Sequence, residues 1–315
     1  MSLPKSDSIP LAIVALATVV ALYLTMTGSF ASVSVEPEYD FDNAEQRELF
    51  NLMTAEFGGF LEPKMSGAWA MEGLQAGRKV FEQQCIHCHG TDGRAKTYTA
   101  KLLTPAPRDF GLGVVKFTST PVGLPATRDD LLRTIKEGVP STSMSRFEGS
   151  IGEQELQDAA DYAMYLLIRS AVWTDATNRL AKANMSPAAA FTAAIEEQRQ
   201  QFDLALASST RPQVPDVADS KRGRKMYFDE SLGCLICHQV DTSGGPVAGL
   251  DVWGQPMVAR DLTQGELRGG GSPADVYLRI RNGVKGTPMP AMADKLTQEQ
   301  IWDLVSFVRS VQEGN

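Results

Sequence analysis

Hydrophobic and polar positions divide the chain into stretches of different character. Ile9–Met26, IPLAIVALATVVALYLTM, is an 18-residue run with no charged side chain, preceded by Lys5. It reaches the length at which a helix crosses the hydrocarbon core of a bilayer. It reads either as an uncleaved anchor over residues 1–35 or as a signal peptide cut after the small-residue site at Ser29–Ala31. The run is longer than the usual signal core, which favours the anchor. Both readings place the rest of the chain on the outer side of the membrane. An acidic stretch follows, within a linker over 36–71: Glu36, Glu38, Asp40, Asp42, Glu45, Glu48 and Glu56 stand against one basic residue, Arg47. Leu49, Leu52, Met53 and Phe57 have helical spacing there, which predicts a short helix in a solvated linker beside the membrane.

Beyond this point the pattern repeats. GRKVFEQQC from Gly77 answers GRKMYFDESLGC from Gly223, PRDF at Pro107–Phe110 answers ARDL at Ala259–Leu262, and DLLRTIKEGVPSTSM answers DVYLRIRNGVKGTPM. A shift of 145 residues pairs Asp130 with Asp275, Gly138 with Gly283, Asp158 with Asp303 and Tyr162 with Phe307. A repeat of this length marks two domains of one kind, over residues 72–170 and 219–315. Each reads as a helix leading into a cysteine pair, a Gly/Pro-rich run of loops, a helix at Arg128–Glu137 or Ala274–Arg281, a loop carrying a methionine, and an amphipathic C-terminal helix. Thr297 and Gln300 form a capping box at the start of the last helix. No alternating strand pattern stands out in either domain. The spacer, 171–218, holds a helix starting at Ser186–Pro187, a good cap and first-turn pair, and running to about Ala207.

The four cysteines form two Cys-x-x-Cys pairs, Cys85 with Cys88 and Cys234 with Cys237, and histidine follows each pair directly at His89 and His238. Cys-x-x-Cys-His is the attachment signature of c-type haem. Two cysteines three apart on a helical turn reach two vinyl groups, and the next residue is held beneath the iron. Short-loop disulfides, a zinc site and redox dithiols also use such pairs. A dithiol of the thioredoxin kind lacks its strand–helix setting here, and zinc would have to gather pairs far apart in sequence. A histidine after both second cysteines would be chance in each case. His87, between the first two cysteines, reads as a bystander. For the sixth ligand, Met144 lies 55 residues after His89 and Met289 lies 51 after His238, each six residues after a matched glycine. Met292 is the rival in the second domain, and the repeat register favours Met289. Arg108 and Arg260 are candidate partners of haem propionates, since guanidinium suits carboxylate; pairing with the following Asp is the alternative. Phe81, Phe110, Tyr227 and Trp302 are candidates for haem-pocket packing.

Each domain resembles a class I cytochrome c, in CIHCHG and CLICH, the methionine loops GVPSTSM and GTPMP, and an aromatic-bearing last helix. The chain as a whole resembles membrane-anchored dihaem cytochromes c. The resemblance implies a mainly α fold with two tandem cytochrome c domains behind an N-terminal transmembrane helix, and two covalently bound haem c groups in helical shells. SMS at Met144 lacks the prolines flanking Met289, a departure that bears on loop rigidity and on the relative potentials.

A net charge of −8 argues against a nucleic-acid partner. Two His/Met irons leave no open position for substrate, which points to electron transfer rather than to an enzyme. The expected place is the cytoplasmic membrane, with the haem domains on the periplasmic or extracytoplasmic side. Expected donors are a quinol–cytochrome c reductase or a dehydrogenase. Expected acceptors are a terminal oxidase, a reductase or a soluble cytochrome, with the chain free or fixed in such a complex. A dihaem peroxidase is the alternative; it needs one iron that opens, and two methionines in matched register argue against that. A haem-based sensor is a third reading, which rapid carbon monoxide binding would favour.

Overall fold

A computed structural model of the chain describes residues 41–209, 211–264 and 266–314. The apolar run expected to anchor the chain lies outside these residues. Among the described residues, no helix is long and apolar enough to cross a membrane. The chain divides after Arg47. In the part before it, Asn43 Oδ1 accepts from the Glu45 and Gln46 amides at 2.9 and 3.1 Å, and Arg47 donates to the Phe41 carbonyl at 2.9 Å.

The part from Glu48 onward is mainly helical and contains both repeats. The expected helix in the acidic stretch forms as α1 (Ala44–Phe57). Leu49, Met53 and Phe57 are at most 1% exposed, so this helix is held by its apolar stripe and is not simply solvated. Burying each such side chain contributes roughly 1.5–3 kcal/mol. Phe57 stacks on Trp69, which meets Phe202 edge-on.

The first domain contains α2 (Leu74–Gln84), α3 (Ile86–His89), α4 (Tyr98–Leu102), α5 (Arg128–Glu137) and α6 (Glu153–Ala183). The repeat pattern ends near Ser170, yet α6 runs 31 residues straight through it. Val172, Trp173 and Ala176 continue its buried stripe, and nothing between them breaks a helix. The spacer helix α7 (Pro187–Ser208) packs on α6, with the Ser186 side chain accepting from the Ala189 amide as its cap.

The second domain contains α8 (Ser220–Tyr227), α9 (Cys234–His238), α10 (Pro273–Asn282) and α11 (Gln298–Glu313). Thr297 and Gln300 make the expected capping box on α11. In each domain the first helix crosses the last at a glycine. A Cβ on Gly77 would sit 1.8 Å from the Asp158 carbonyl oxygen, and one on Gly223 would sit 2.0 Å from that of Asp303. The backbones touch there because no side chain stands between them.

One element departs from the sequence reading. β1 (Gly245–Leu250) and β2 (Pro256–Ala259) form an antiparallel hairpin in the second domain, with a register shift between Val247 and Leu250. GPVAGL carries no alternation because most of the strand is exposed. With no core face to fill, the period-two signal is not required of the sequence.

Candidate haem sites

Cys85, Cys88 and His89 lie on one tight turn. The Cys88 and His89 amides donate to the Cys85 carbonyl at 3.1 and 2.9 Å. Cys234, Cys237 and His238 occupy the equivalent α9, which Gly233 enters in the left-handed region at φ 74°. Neither Cys-x-x-Cys pair is closed as a disulfide. Burial, and then the neighbouring Cys88, pushes the Cys85 thiol up to about 12. Burial also raises Cys88 and Cys234. These thiols stay protonated, unlike a reactive dithiol or a zinc-binding thiolate. Among the described residues no three His, Cys, Asp or Glu side chains converge as a metal-ion site, so the pairs are not gathered as zinc would need. His87 is exposed, and its carbonyl accepts from Thr97 Oγ1 at 2.7 Å.

Both histidines are oriented in the same way. His89 Nδ1 lies 3.1 Å from the Arg108 carbonyl oxygen, and His238 Nδ1 lies 3.1 Å from that of Arg260. A carbonyl only accepts, so Nδ1 carries the proton and Nε2 keeps the lone pair that can bind a metal. Burial holds both imidazoles below the usual histidine pKa, which favours this neutral form. His89 stacks on Phe110 at 5.3 Å and 7°. The equivalent Leu262 packs beside Tyr227, Leu304 and Phe307.

The methionine loops share one set of bonds. Val139 donates to the Met144 carbonyl at 2.9 Å and Val284 to that of Met289 at 3.2 Å. Thr142 Oγ1 donates to the Val139 carbonyl and accepts from the Met144 amide; Thr287 does the same for Val284 and Met289. Gly138 and Gly283 turn into these loops at φ 69° and 67°. A Cβ there would meet the Met144 or Met289 carbonyl oxygen at 2.7 or 2.6 Å. Met144 and Met289 are half-buried. Met292 is buried, and its amide donates to the Ile280 carbonyl as Phe147 donates to that of Ile135. The rival methionine therefore holds the place of a phenylalanine.

The propionate candidates reach further than the sequence implied. The Arg108 guanidinium lies 3.6 Å over the Trp253 ring, and burial lowers its pKa to about 10. Arg260 Nη2 donates to Ser141 Oγ at 3.1 Å and to the Glu266 carbonyl at 2.9 Å. Its Nε is buried without a partner among the described residues.

Residues 72–162 and 218–308 each match the family described as cytochrome c oxidase, cbb3-type, subunit III. The chain belongs to this family. The cbb3-type subunit CcoP of Azospirillum brasilense is 23% identical over 247 residues, which cover 78% of this chain and 64% of that protein. A chain of the reducing HAO-like protein complex of Kuenenia stuttgartiensis matches with a TM-score of 0.56 and 28% identity, over 76% of this chain and 96% of its own. As a member of the cbb3-type subunit III family, the chain has two tandem cytochrome c domains that bind two covalently attached haem c groups. The residues present fit such groups: unbridged cysteines in Cys-x-x-Cys pairs, imidazoles with a free Nε2, and a buried arginine donor with no acceptor among the described residues.

Proposed function

We propose that this chain is a membrane-anchored dihaem electron carrier, or the electron-transfer subunit of a larger oxidoreductase complex. Cys85 and Cys88 attach the first haem, and Cys234 and Cys237 the second. His89 with Met144, and His238 with Met289, would hold the two haem irons. Bound there, the haem irons supply one-electron redox chemistry. Arg108 and Arg260 keep charge beside the haems, and the Arg260 Nε is the donor left over for a propionate. The anchor is the apolar run Ile9–Met26, with both haem domains on the periplasmic or extracytoplasmic side. Electrons arrive from a quinol–cytochrome c reductase or a dehydrogenase and leave to a terminal oxidase, a reductase or a soluble cytochrome.

The observation that carries this reading is the duplication of one hydrogen-bond scheme at both sites. Each histidine is held through Nδ1 by an arginine carbonyl, and each methionine loop is closed by the same valine and threonine bonds. An enzyme with one opening iron has no use for two matched methionine clamps. The test is a potentiometric titration of Met144→His and Met289→His in the full chain. Nitrogen favours ferric iron more than sulfur does. Each variant is expected to lower one of two components, by on the order of 0.1 V within the ~0.8 V that axial ligands command. An unmoved component removes that methionine as a ligand.

A further inference from the structure

The contacts between the two domains are not spread evenly. Many join the stretch around Thr118 and Arg133 to Asp275, Arg279, Asn282 and Lys285; a separate set falls on residues beside the haem ligands. Arg260, whose carbonyl accepts from His238, sends its guanidinium to Ser141 of the first methionine loop. Arg268 donates to the Ser141 carbonyl at 3.3 Å. The other half mirrors this. Arg108, whose carbonyl accepts from His89, lies over Trp253 of the second domain. The Trp253 indole N–H donates to the carbonyl of the next residue, Asp109, at 3.0 Å. Trp253 is in turn seated on the second methionine loop: a Cβ on Gly286 would lie 2.5 Å from its ring, and the neighbouring Val252 amide donates to the Gly286 carbonyl at 3.0 Å. Ser141 and Gly286 occupy the same register, three residues before their methionines, and both have positive φ, 58° and 74°. A non-glycine residue held at such a φ costs free energy, of order 1–3 kcal/mol. Two guanidinium groups bonded to Ser141 offset it.

We propose that these contacts form a reciprocal clasp, in which the arginine that holds each histidine is fixed by the methionine-loop side of the other domain. The proposal rests on the His/Met reading above. Its consequence is that each domain controls the surroundings of the other's histidine. A guanidinium kept out of water beside an iron disfavours the ferric form; one released into water is screened and does so less. Arg108 and Arg260 act here as positioning residues.

The experiment is a potentiometric titration of full-length Ser141→Ala and Trp253→Ala, with the two components assigned by Met144→His and Met289→His. Ser141→Ala is expected to lower the midpoint of the second haem, although Ser141 belongs to the first domain. Trp253→Ala is expected to lower that of the first haem, although Trp253 belongs to the second. Trp253→Phe keeps a ring but loses the N–H to Asp109, and gives the same direction with a smaller shift if the alanine variant does not fold. A merely structural role would change the unfolding midpoint and leave the opposite haem unmoved. Shifts confined to the haem of the mutated domain, or no shift, overturn the clasp. If the Met→His variants themselves leave both components in place, it is the ligand reading that fails instead.

Discussion

The two haem domains reach one geometry by different sequences. In the second, Pro288 and Pro290 flank Met289; in the first, Ser143 and Ser145 flank Met144. The loops nevertheless carry the same valine, threonine and glycine bonds. Glycine to turn the chain and a threonine hydroxyl to close it are therefore sufficient, and the prolines are an addition. The histidine side differs more. His89 leans on the ring of Phe110, whereas its counterpart position beside His238 is Leu262. At 285 the second loop has a lysine where the first has Pro140. The shared bonds lie on the candidate ligand residues; the differences fall at the ring beside His89, at the residues flanking the methionines, and at Lys285, which reaches the other domain.

The largest test of this equivalence removes attachment. Replacing Cys85 and Cys88 by serine should halve covalent haem measured against protein, and replacing Cys234 and Cys237 should halve it equally. Two haems still attached to either variant would break the assignment of that site.

Next come the helix crossings. Gly77→Ala and Gly223→Ala each drive a methyl into a backbone carbonyl. Overpacking costs about 3 kcal/mol where backbone must move, which outweighs the ~1 kcal/mol that alanine gains in a helix. Denaturant titration should show similar losses for both. A neutral result at one would mean that its crossing is looser than its partner's.

A pH-dependent difference belongs to Lys285, which only the second domain has. Its Nζ donates to Thr120 Oγ1 and to the Leu124 carbonyl of the first domain, each at 2.5 Å. Burial lowers its pKa to about 7, with Asp130 opposing and Arg279 assisting. The unfolded chain, with an ordinary value of 10.5, therefore binds the extra proton between about pH 7 and 10.5. Its contribution to stability rises with pH across that window and is lost as pH falls through it. Lys285→Met should flatten this part of the stability profile. An unchanged profile would remove the lysine from the account.

Much of the site was legible before the fold. Cys-x-x-Cys-His, the repeat register and the Gly-to-Met spacing are local, covalent or periodic signals, and each names its residues directly. The capping pairs at Ser186 and Thr297 are equally local, and both helices start there. The hairpin at Gly245–Ala259 was not legible, because β1 is largely exposed and β2 is four residues with one buried side chain, Met257. Nor were the partners of Arg108 and Arg260. Trp253 and Ser141 lie 145 and 119 residues from them in sequence, and the stacking and hydrogen bond that join them leave no pattern along the chain. The extension of α6 past Ser170 was masked by the repeat itself, which ends where only one domain continues its helix.

The central claim is that both irons are closed by a protein methionine. Carbon monoxide binding to the fully reduced full-length chain tests it most directly. The account predicts that neither haem binds the gas rapidly, because each must first give up its methionine. Rapid binding at one haem would contradict it and would turn the chain from a carrier into a haem protein with an open site.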